Sequence, residues 1–340
     1  MINIGVVGYG YWGPNLVRNF LETDEFNVVM VADLKPENLA KVQKRYPGIK
    51  VTKHFEELLN DPRIDTVAIA TPVFTHFDLG MKALAAGKHV FMEKPMASNS
   101  DQAYQLVQEA EKRKLLLFVD HTFLYTGAVR KIKEVLASGK VGKIKYYDSV
   151  RINLGLFQHD INVLWDLAVH DLSIMDYVLE QKPVAISATG ISHVPNEPEN
   201  IAYLTCFFED NLIAHIHVNW LAPVKIRKTL IGGDKQMVVY DDLEVTEKVK
   251  IYDKGITVDE EGIYNMKVGY RTGDVWTPQL DTTEALRYEA AYFAKCVKEG
   301  KPPVSDGRAG LRIVHILEAA TRSLGQKGKP VELEWKKFKL

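Results

Sequence analysis

The chain has 340 residues, which is enough for two domains that each bury a core. Its 43 basic and 44 acidic residues nearly balance, so charge gives no reason to expect nucleic acid or an anionic membrane as the main partner. Only two cysteines are present, no apolar run approaches the roughly 20 residues of a membrane span, and Met1 leads straight into an apolar segment, so we expect a soluble cytoplasmic protein.

The first predicted strand ends in three glycines spaced G-x-G-x-x-G and passes directly into a predicted helix. Gly8 permits a tight turn, Gly10 lets a pyrophosphate approach the backbone, and Gly13 lets the helix pack close to the strand. The helix N-terminus then offers free N–H groups to the diphosphate.

The second predicted strand, residues 27–32, ends in Asp33. A carboxylate at this position accepts hydrogen bonds from the adenosine ribose and repels a 2′-phosphate, so the pattern favours NAD over NADP. The alternative is an ordinary α/β protein in which Asp33 only caps the next helix.

Beyond Asp33 the chain alternates between short apolar runs and segments with helical periodicity. The alternation predicts an α/β fold that begins with a doubly wound parallel sheet, the Rossmann arrangement. The helices are predicted at 36–46, 55–59, 75–86 and 101–113, and the strands at 50–52, 66–70, 89–92 and 115–119.

Ligands of such sheets bind at the carboxyl ends of the strands. Lys94 falls there, where its amine can hydrogen-bond a substrate hydroxyl and stabilise negative charge that develops on its oxygen. A solvated Glu–Lys pair on a loop is the alternative. The other polar or loop residues at these strand ends are Thr71, Pro72, His76, Glu93 and Pro95.

The second half of the chain is dominated by longer strands, which follow a helix at 128–137. Their alternating pattern predicts a sheet with one packed face and one more open face, and the open face predicts a homo-oligomer. The strands are predicted at 143–153, 184–192, 201–208, 213–220, 226–231 and 237–240.

A predicted helix at 162–179 carries the second group of candidate catalytic residues. Asp166 lies one turn before His170, an arrangement in which the carboxylate fixes the imidazole tautomer for a general base. A structural histidine, or a zinc site that adds Asp171, is the alternative, but no metal-binding motif supports zinc and we expect no metal.

The loop before this helix is rich in polar side chains. We interpret them as substrate contacts, with a solvated loop of capping side chains as the alternative. They are Arg151, Asn153, Gln158 and Asn162.

The segments GYGYWG and ATPVFTHFDLGMKALAAGKHVFMEKP resemble the Gfo/Idh/MocA oxidoreductases. The resemblance implies a Rossmann domain at residues 1–122 and a substrate-binding and oligomerisation domain at 123–340, built on a large open, mostly antiparallel sheet. The family's Glu-Lys-Pro maps onto Glu93, Lys94 and Pro95, and its Asp-x-x-x-His maps onto Asp166 and His170.

The resemblance also implies the set of ligand contacts. Tyr125 is a further substrate candidate beside Lys94 and His170, although many family members carry a proline in the following helix where this chain has Gly127. The expected cofactor contacts are Gly8, Gly10, Tyr11, Trp12, Gly13, Asp33, Thr71, Pro72, His76, Glu93 and Lys94.

These features together predict an NAD-dependent dehydrogenase in which Lys94, Asp166 and His170 act on a sugar hydroxyl. The segments around residues 154–174 and 273–281 resemble enzymes that oxidise the 3-hydroxyl of UDP-N-acetylglucosamine or its uronic acid. The alternatives are a free sugar or inositol dehydrogenase, a nucleotide-ketosugar reductase, and a non-catalytic NAD-binding sensor. The expected oligomer is a dimer or tetramer.

Overall fold

The computed structural model describes residues 1–155, 159, 161–260 and 266–339, with the backbone alone for 256–260 and 266–269. Contacts divide the chain into two compact units. The first comprises Met1–Tyr125, Thr283–His315 and Lys336–Leu340, and the second comprises Thr126–Thr282 and Ile316–Trp335. The division thus differs from a single boundary after residue 122, because the chain returns to the first unit twice. Within the described ranges, no helix is both long and apolar enough to cross a membrane.

The first unit is built on a six-stranded parallel sheet, which confirms the predicted Rossmann arrangement. Its spatial order is β3-β2-β1-β4-β5-β6, and β4 and β6 are buried along their whole length. The strands are β1 (Ile2–Val7), β2 (Phe26–Ala32), β3 (Lys50–Thr52), β4 (Thr66–Ile69), β5 (His89–Glu93) and β6 (Leu117–Asp120).

Helices connect these strands, as the alternating pattern predicts. Because parallel strands need crossovers, each connection brings the chain back so that all carboxyl ends lie at one edge of the sheet. The helices are α1 (Gly13–Glu22), α2 (Pro36–Arg45), α3 (Phe55–Asn60), α4 (His76–Ala85) and α5 (Ser100–Arg113), with 3₁₀ turns at Val73–Thr75 and Thr122–Tyr125.

The second unit contains a nine-stranded sheet in the order β16-β13-β12-β11-β7-β10-β9-β8-β17. Apart from the parallel pair of β7 and β10, its strands pair antiparallel, as predicted. In chain order, the elements up to residue 276 are α6 (Gly127–Ala137), β7 (Ile144–Leu154), a π-helical turn (Leu164–Ala168), α7 (Val169–Leu179), β8 (Ala185–Ile191), β9 (Ile201–Phe207), a 3₁₀ turn (Glu209–Asn211), β10 (Ile213–Asn219), β11 (Leu221–Gly233), β12 (Met237–Asp241), β13 (Val249–Tyr252), the hairpin of β14 (Gly255–Glu260) and β15 (Met266–Arg271), and β16 (Val275–Trp276).

The last part of the chain contributes to both units. It contains α8 (Ala285–Glu299), which belongs to the first unit, and then α9 (Gly307–Gly325), β17 (Val331–Glu332) and a 3₁₀ turn (Trp335–Phe338).

Aromatic side chains fill the space between α1, α8 and the parallel sheet of the first unit. The five rings pack in edge and stacked contacts with centroids 4.9 to 6.0 Å apart, and all are buried. Burial of such rings is a large stabilising contribution, and it holds α8 on the sheet although α8 lies far along the chain. The rings belong to Phe20, Phe26, Phe91, Phe118 and Phe293.

The Gly13→Ala variant tests the close packing of α1 on β1. A Cβ at Gly13 would lie 2.1 Å from the carbonyl oxygen of Gly8, so the helix would have to move. We expect a loss of about 1 to 3 kcal/mol of stability and a lower Tm by calorimetry. Gly48→Ala is the control, because its Cβ would meet no atom within 4 Å. Equal Tm values for the two variants would contradict this account of the packing.

Candidate active site

The glycine loop leaves open space in front of the N-terminus of α1. Gly8 has a φ of +92°, and a Cβ there would lie 2.4 Å from the carbonyl oxygen of Ala70. A Cβ on Gly10, in contrast, would meet no atom within 4 Å. Trp12 is the N-cap of α1, with Pro14 in the first turn. An anion can therefore approach the loop backbone and the positive end of the helix dipole.

Asp33 lies at the end of β2, next to this loop. Its carboxylate accepts hydrogen bonds from the backbone N–H of Tyr9 (2.6 Å), the backbone N–H of Lys35 (2.8 Å) and the Asn38 side-chain amide (3.1 Å). The glycine loop is thus hydrogen-bonded to Asp33, the residue that the sequence predicts to contact the adenosine ribose. Open backbone at Gly10 and a fixed carboxylate one strand away fit an adenine dinucleotide without a 2′-phosphate.

His76 connects the loops that follow β4 and β5. Its Nδ1 lies 2.9 Å from the carbonyl oxygen of Pro95, and its Nε2 lies 2.8 Å from that of Thr71. Burial lowers the pKa of the imidazole, which is 1% exposed. His76 therefore helps to shape the loop that carries Lys94, and its predicted direct contact with the cofactor remains a prediction. Thr71 is half-buried and Pro72 is exposed, while Tyr11 is 84% exposed.

Lys94 begins the loop directly after β5, at the same edge of the sheet as the glycine loop. It is half-buried, and its backbone N–H donates to Oε2 of Glu93 at 3.1 Å. Glu93 itself is 9% exposed. Burial, with Asp120 beside it, raises the pKa of Glu93 well above its ordinary value. Glu93 is therefore buried and Lys94 is half-buried, so the two residues are not a solvated surface pair.

In the second unit, Asp166 and His170 are half-buried on a helical segment whose neighbouring residues are buried. From Asn162 to Met175 they are the two residues that are not buried. Asp166 lies in the π-helical turn, and His170 lies in the first turn of α7. A π-helical turn holds one residue more than an α-helical turn, so it changes which side chains lie on the same face of the helix. Oδ2 of Asp166 accepts the indole N–H of Trp220 at 3.0 Å.

Three of the predicted substrate contacts have partners within the protein. Arg151 is 3% exposed and pairs through Nε with Asp171 Oδ2 at 2.6 Å. Asn162 caps the following helix, because its Oδ1 accepts the backbone N–H of Leu164 at 3.2 Å. Tyr125 is 2% exposed and its hydroxyl lies 2.7 Å from that of Ser305.

These three residues have structural roles, so their contact with substrate stays a prediction. Asn153 is half-buried near the end of β7, and Gln158 lies outside the described residues. Among the residues that the structure describes, no group of three or more His, Cys, Asp or Glu side chains is arranged to hold a metal ion.

Two family models match the chain. One, an oxidoreductase family with an NAD-binding Rossmann fold, matches residues 2–121, and the other, the GFO/IDH/MocA C-terminal domain, matches residues 129–239. The chain belongs to the Gfo/Idh/MocA family of oxidoreductases. The predicted family, fold class, enzyme class and NAD cofactor are thereby confirmed.

Relatives in this family match the chain over nearly its whole length. The myo-inositol 2-dehydrogenase of Thermotoga maritima is 24% identical and covers 98% of this chain and 99% of its own. The UDP-N-acetylglucosamine 3-dehydrogenase of Acidithiobacillus ferrooxidans is 25% identical and covers 91% and 93%. Among solved structures, a levoglucosan dehydrogenase in complex with NADH and L-sorbose has a TM-score of 0.83 and is 17% identical. The match covers 98% of this chain and 99% of the levoglucosan dehydrogenase chain.

The sequence analysis did not identify two buried carboxyl groups, those of Asp120 and Glu289. Asp120 ends β6 next to Glu93, and its position directly after a predicted strand was a signal that could have found it. Glu289 lies in α8, a helix whose sequence gives no functional signal, and it is fully buried.

The Asp33→Asn variant tests the role of this carboxylate in cofactor choice. The amide keeps an acceptor for the Tyr9 N–H but removes the charge that repels a 2′-phosphate. We expect the ratio of Kd values for NADPH and NADH to fall at least about tenfold, or about 1.4 kcal/mol, in fluorescence titrations. Asp65→Asn, at the opposite end of the sheet before β4, is the control. An unchanged ratio in Asp33→Asn would show that Asp33 does not read the ribose.

Proposed function

We propose that this chain is an NAD-dependent dehydrogenase that oxidises a secondary hydroxyl of a sugar, at C3 of a nucleotide sugar such as UDP-N-acetylglucosamine or its uronic acid. The observation that carries the proposal is the partial exposure of Asp166 and His170 on a segment, residues 162–175, whose other members are all buried. Lys94, at the end of β5 on the edge that carries the glycine loop, supports the same chemistry. When bound, NAD would accept the hydride from the substrate carbon.

In this mechanism each of the three side chains has a separate task. His170 takes the proton of the substrate hydroxyl as the C–H bond breaks. Asp166 fixes the orientation of the imidazole and stabilises its protonated form. Lys94 donates a hydrogen bond to the substrate oxygen and stabilises the negative charge that develops there.

The substrate class is supported by the relatives. The UDP-N-acetylglucosamine 3-dehydrogenase matches over 319 residues. In sequence, the segments around 154–174 and 273–281 resemble that subgroup. An inositol dehydrogenase is the second candidate, because relatives with that activity match at 24% to 25% identity over 96% to 98% of the chain.

A substrate panel distinguishes these functions. UDP-N-acetylglucosamine, its uronic acid, glucose and the inositols are each offered with NAD⁺, and NADH formation is followed by absorbance. We expect the highest kcat/KM with one of the two nucleotide sugars. Highest turnover with an inositol would favour the second candidate, and NADH binding without turnover on any compound would favour the sensor.

Variants of Lys94 and His170 test the mechanism. Lys94→Ala and His170→Ala should each lower kcat by roughly 10²- to 10⁴-fold. His170→Ala removes the group that accepts the hydroxyl proton, and Lys94→Ala removes the group that stabilises negative charge on the substrate oxygen. The Kd for NADH of His170→Ala should stay within about threefold of the wild type. His193→Ala, an exposed histidine of the second unit, is the control and should keep full activity. A fully active His170→Ala enzyme would refute the assignment of the base.

We also infer that the chain forms a homodimer or homotetramer in the cytoplasm. The open face of the nine-stranded sheet carries large apolar side chains, among them Ile191, Tyr203 and Ile213, which are 57%, 44% and 44% exposed. On the same face, Tyr203 stacks on His217 with ring centroids 4.4 Å apart. Exposed apolar patches of this kind are typical of interfaces. Cys206 and Cys296 are free thiols, as a reducing compartment favours.

The double variant Tyr203→Lys/Ile213→Lys tests this interface. It places two charges on the open face, and desolvating them in an interface is costly, so the mass from light scattering should fall to that of the 38.5 kDa monomer. Val245→Lys, at an exposed position outside β8 to β10, should leave the mass unchanged. An oligomer that survives the double variant would exclude this face as the interface.

A further inference from the structure

Three carboxyl groups meet at the carboxyl edge of the parallel sheet. Glu93 ends β5, Asp120 ends β6 in register with it, and Glu289 lies on α8. Their exposed fractions are 9%, 1% and 0%. Both glutamates are within hydrogen-bond reach of Asp120. Of the three, only Glu93 is assigned a role by the sequence.

Three negative charges cannot be buried side by side without a large cost, so protons must be shared among them. Burial, and then the neighbouring Asp120, raise the pKa of Glu93 and of Glu289 well above the ordinary value. Among the described residues, no donor reaches either carboxyl oxygen of Glu289 or Oε1 of Glu93. A protonated glutamate is itself the donor, and this explains why Glu289 lies against Asp120 although no donor reaches its own carboxyl oxygens.

Asp120 is the common acceptor of this cluster. Its Oδ2 accepts the indole N–H of Trp12 at 3.2 Å, and its Oδ1 accepts the Thr122 hydroxyl at 2.5 Å. Trp12 is the N-cap of α1 and a member of the glycine loop. A continuous set of hydrogen bonds therefore leads from α8, through the end of β6, to the loop that binds the cofactor.

We propose that Glu289 is a positioning residue for the cofactor: its protonated carboxyl holds Asp120 where it accepts the Trp12 indole N–H, and so fixes the glycine loop. Without a donor at position 289, Asp120 would lose one of its hydrogen bonds and could turn away from Trp12. The loop would then sample conformations in which its backbone N–H groups no longer converge on the pyrophosphate. Binding of NADH would weaken, because part of its free energy would be spent on ordering the loop.

The other titratable or charged groups that face the cluster do not supply this proton near neutral pH. His121 is fully buried, and burial, with Lys94 and Arg312 as the nearby cations, lowers its pKa to about 3. Burial raises the pKa of Tyr125 well above its ordinary value, so its hydroxyl stays neutral. The two glutamates are thus the groups whose protonation determines the charge of the cluster.

Variants of Glu289 that keep or remove the donor test the proposal. In Glu289→Gln the amide still donates to Asp120, so the Kd for NADH should stay within about threefold of the wild type. In Glu289→Leu the donor is gone, and we expect the Kd to rise at least about tenfold. Glu299→Gln, at the end of the same helix, is the control and should bind as the wild type does. Wild-type affinity in a folded Glu289→Leu protein would overturn the proposal.

The link to Trp12 is tested by a double-mutant cycle. Trp12→Phe keeps an aromatic ring but removes the indole N–H together with the five-membered ring that carries it, and it should weaken NADH binding to a similar extent. If Glu289 acts through Asp120 on Trp12, the two losses should not add up. The Kd for NADH of the double variant Trp12→Phe/Glu289→Leu should then be at most about twofold higher than the Kd of whichever single variant binds NADH less tightly. Losses that multiply would mean that Glu289 affects binding by another route, and the proposal would fail.

A second measurement does not depend on the folding of Glu289→Leu. The infrared difference spectrum between wild type and Glu289→Gln at pH 7 should contain the carbonyl band of a protonated carboxyl group, which the spectrum of Glu299→Gln against wild type should lack. If the band is missing from the Glu289→Gln difference, Glu289 is ionised and the proposed hydrogen bond to Asp120 does not exist.

Discussion

The close approach of Gly13 to the carbonyl group of Gly8 is the constraint on which the first unit depends. It allows α1 to start directly against the end of β1, so that the N-terminus of the helix and the loop backbone converge on one open space. The same geometry brings the Tyr9 N–H to Asp33 and the Trp12 indole to Asp120. Two carboxylates on different strands therefore hold the two ends of one short loop.

Buried polar groups at the strand ends keep this edge of the sheet rigid. His76 joins two neighbouring loops through backbone carbonyls, and the carboxyl cluster of Glu93, Asp120 and Glu289 is joined to the glycine loop by the hydrogen bond from Trp12 to Asp120. Such groups are costly to bury unless every one has a partner, so a single arrangement is strongly preferred. Lys94, for which we propose a catalytic role, follows directly from this edge, and that role would benefit from such support because small displacements of a catalytic group reduce the rate.

The features that the sequence predicted are those whose signal is local. The glycine spacing, Asp33 and Lys94 each follow from residues next to a strand end, and the alternation of strands and helices predicts the parallel sheet. Partners distant in the chain could not be predicted: Trp12 and Asp120 are 108 residues apart, and Arg151 finds Asp171 across 20 residues. The π-helical turn at Leu164–Ala168 also escaped prediction, because helical periodicity presumes 3.6 residues per turn.

The central claim is that a hydride leaves the sugar carbon for the bound nicotinamide. The most direct test is to supply UDP-N-acetylglucosamine or its uronic acid carrying deuterium at C3, together with NAD⁺, and to weigh the cofactor after turnover. The account predicts reduced cofactor with one deuterium, formed more slowly than from the unlabelled sugar if hydride transfer limits the rate. Reduced cofactor without deuterium would contradict oxidation at C3, and no reduction with either sugar would contradict the proposed substrate.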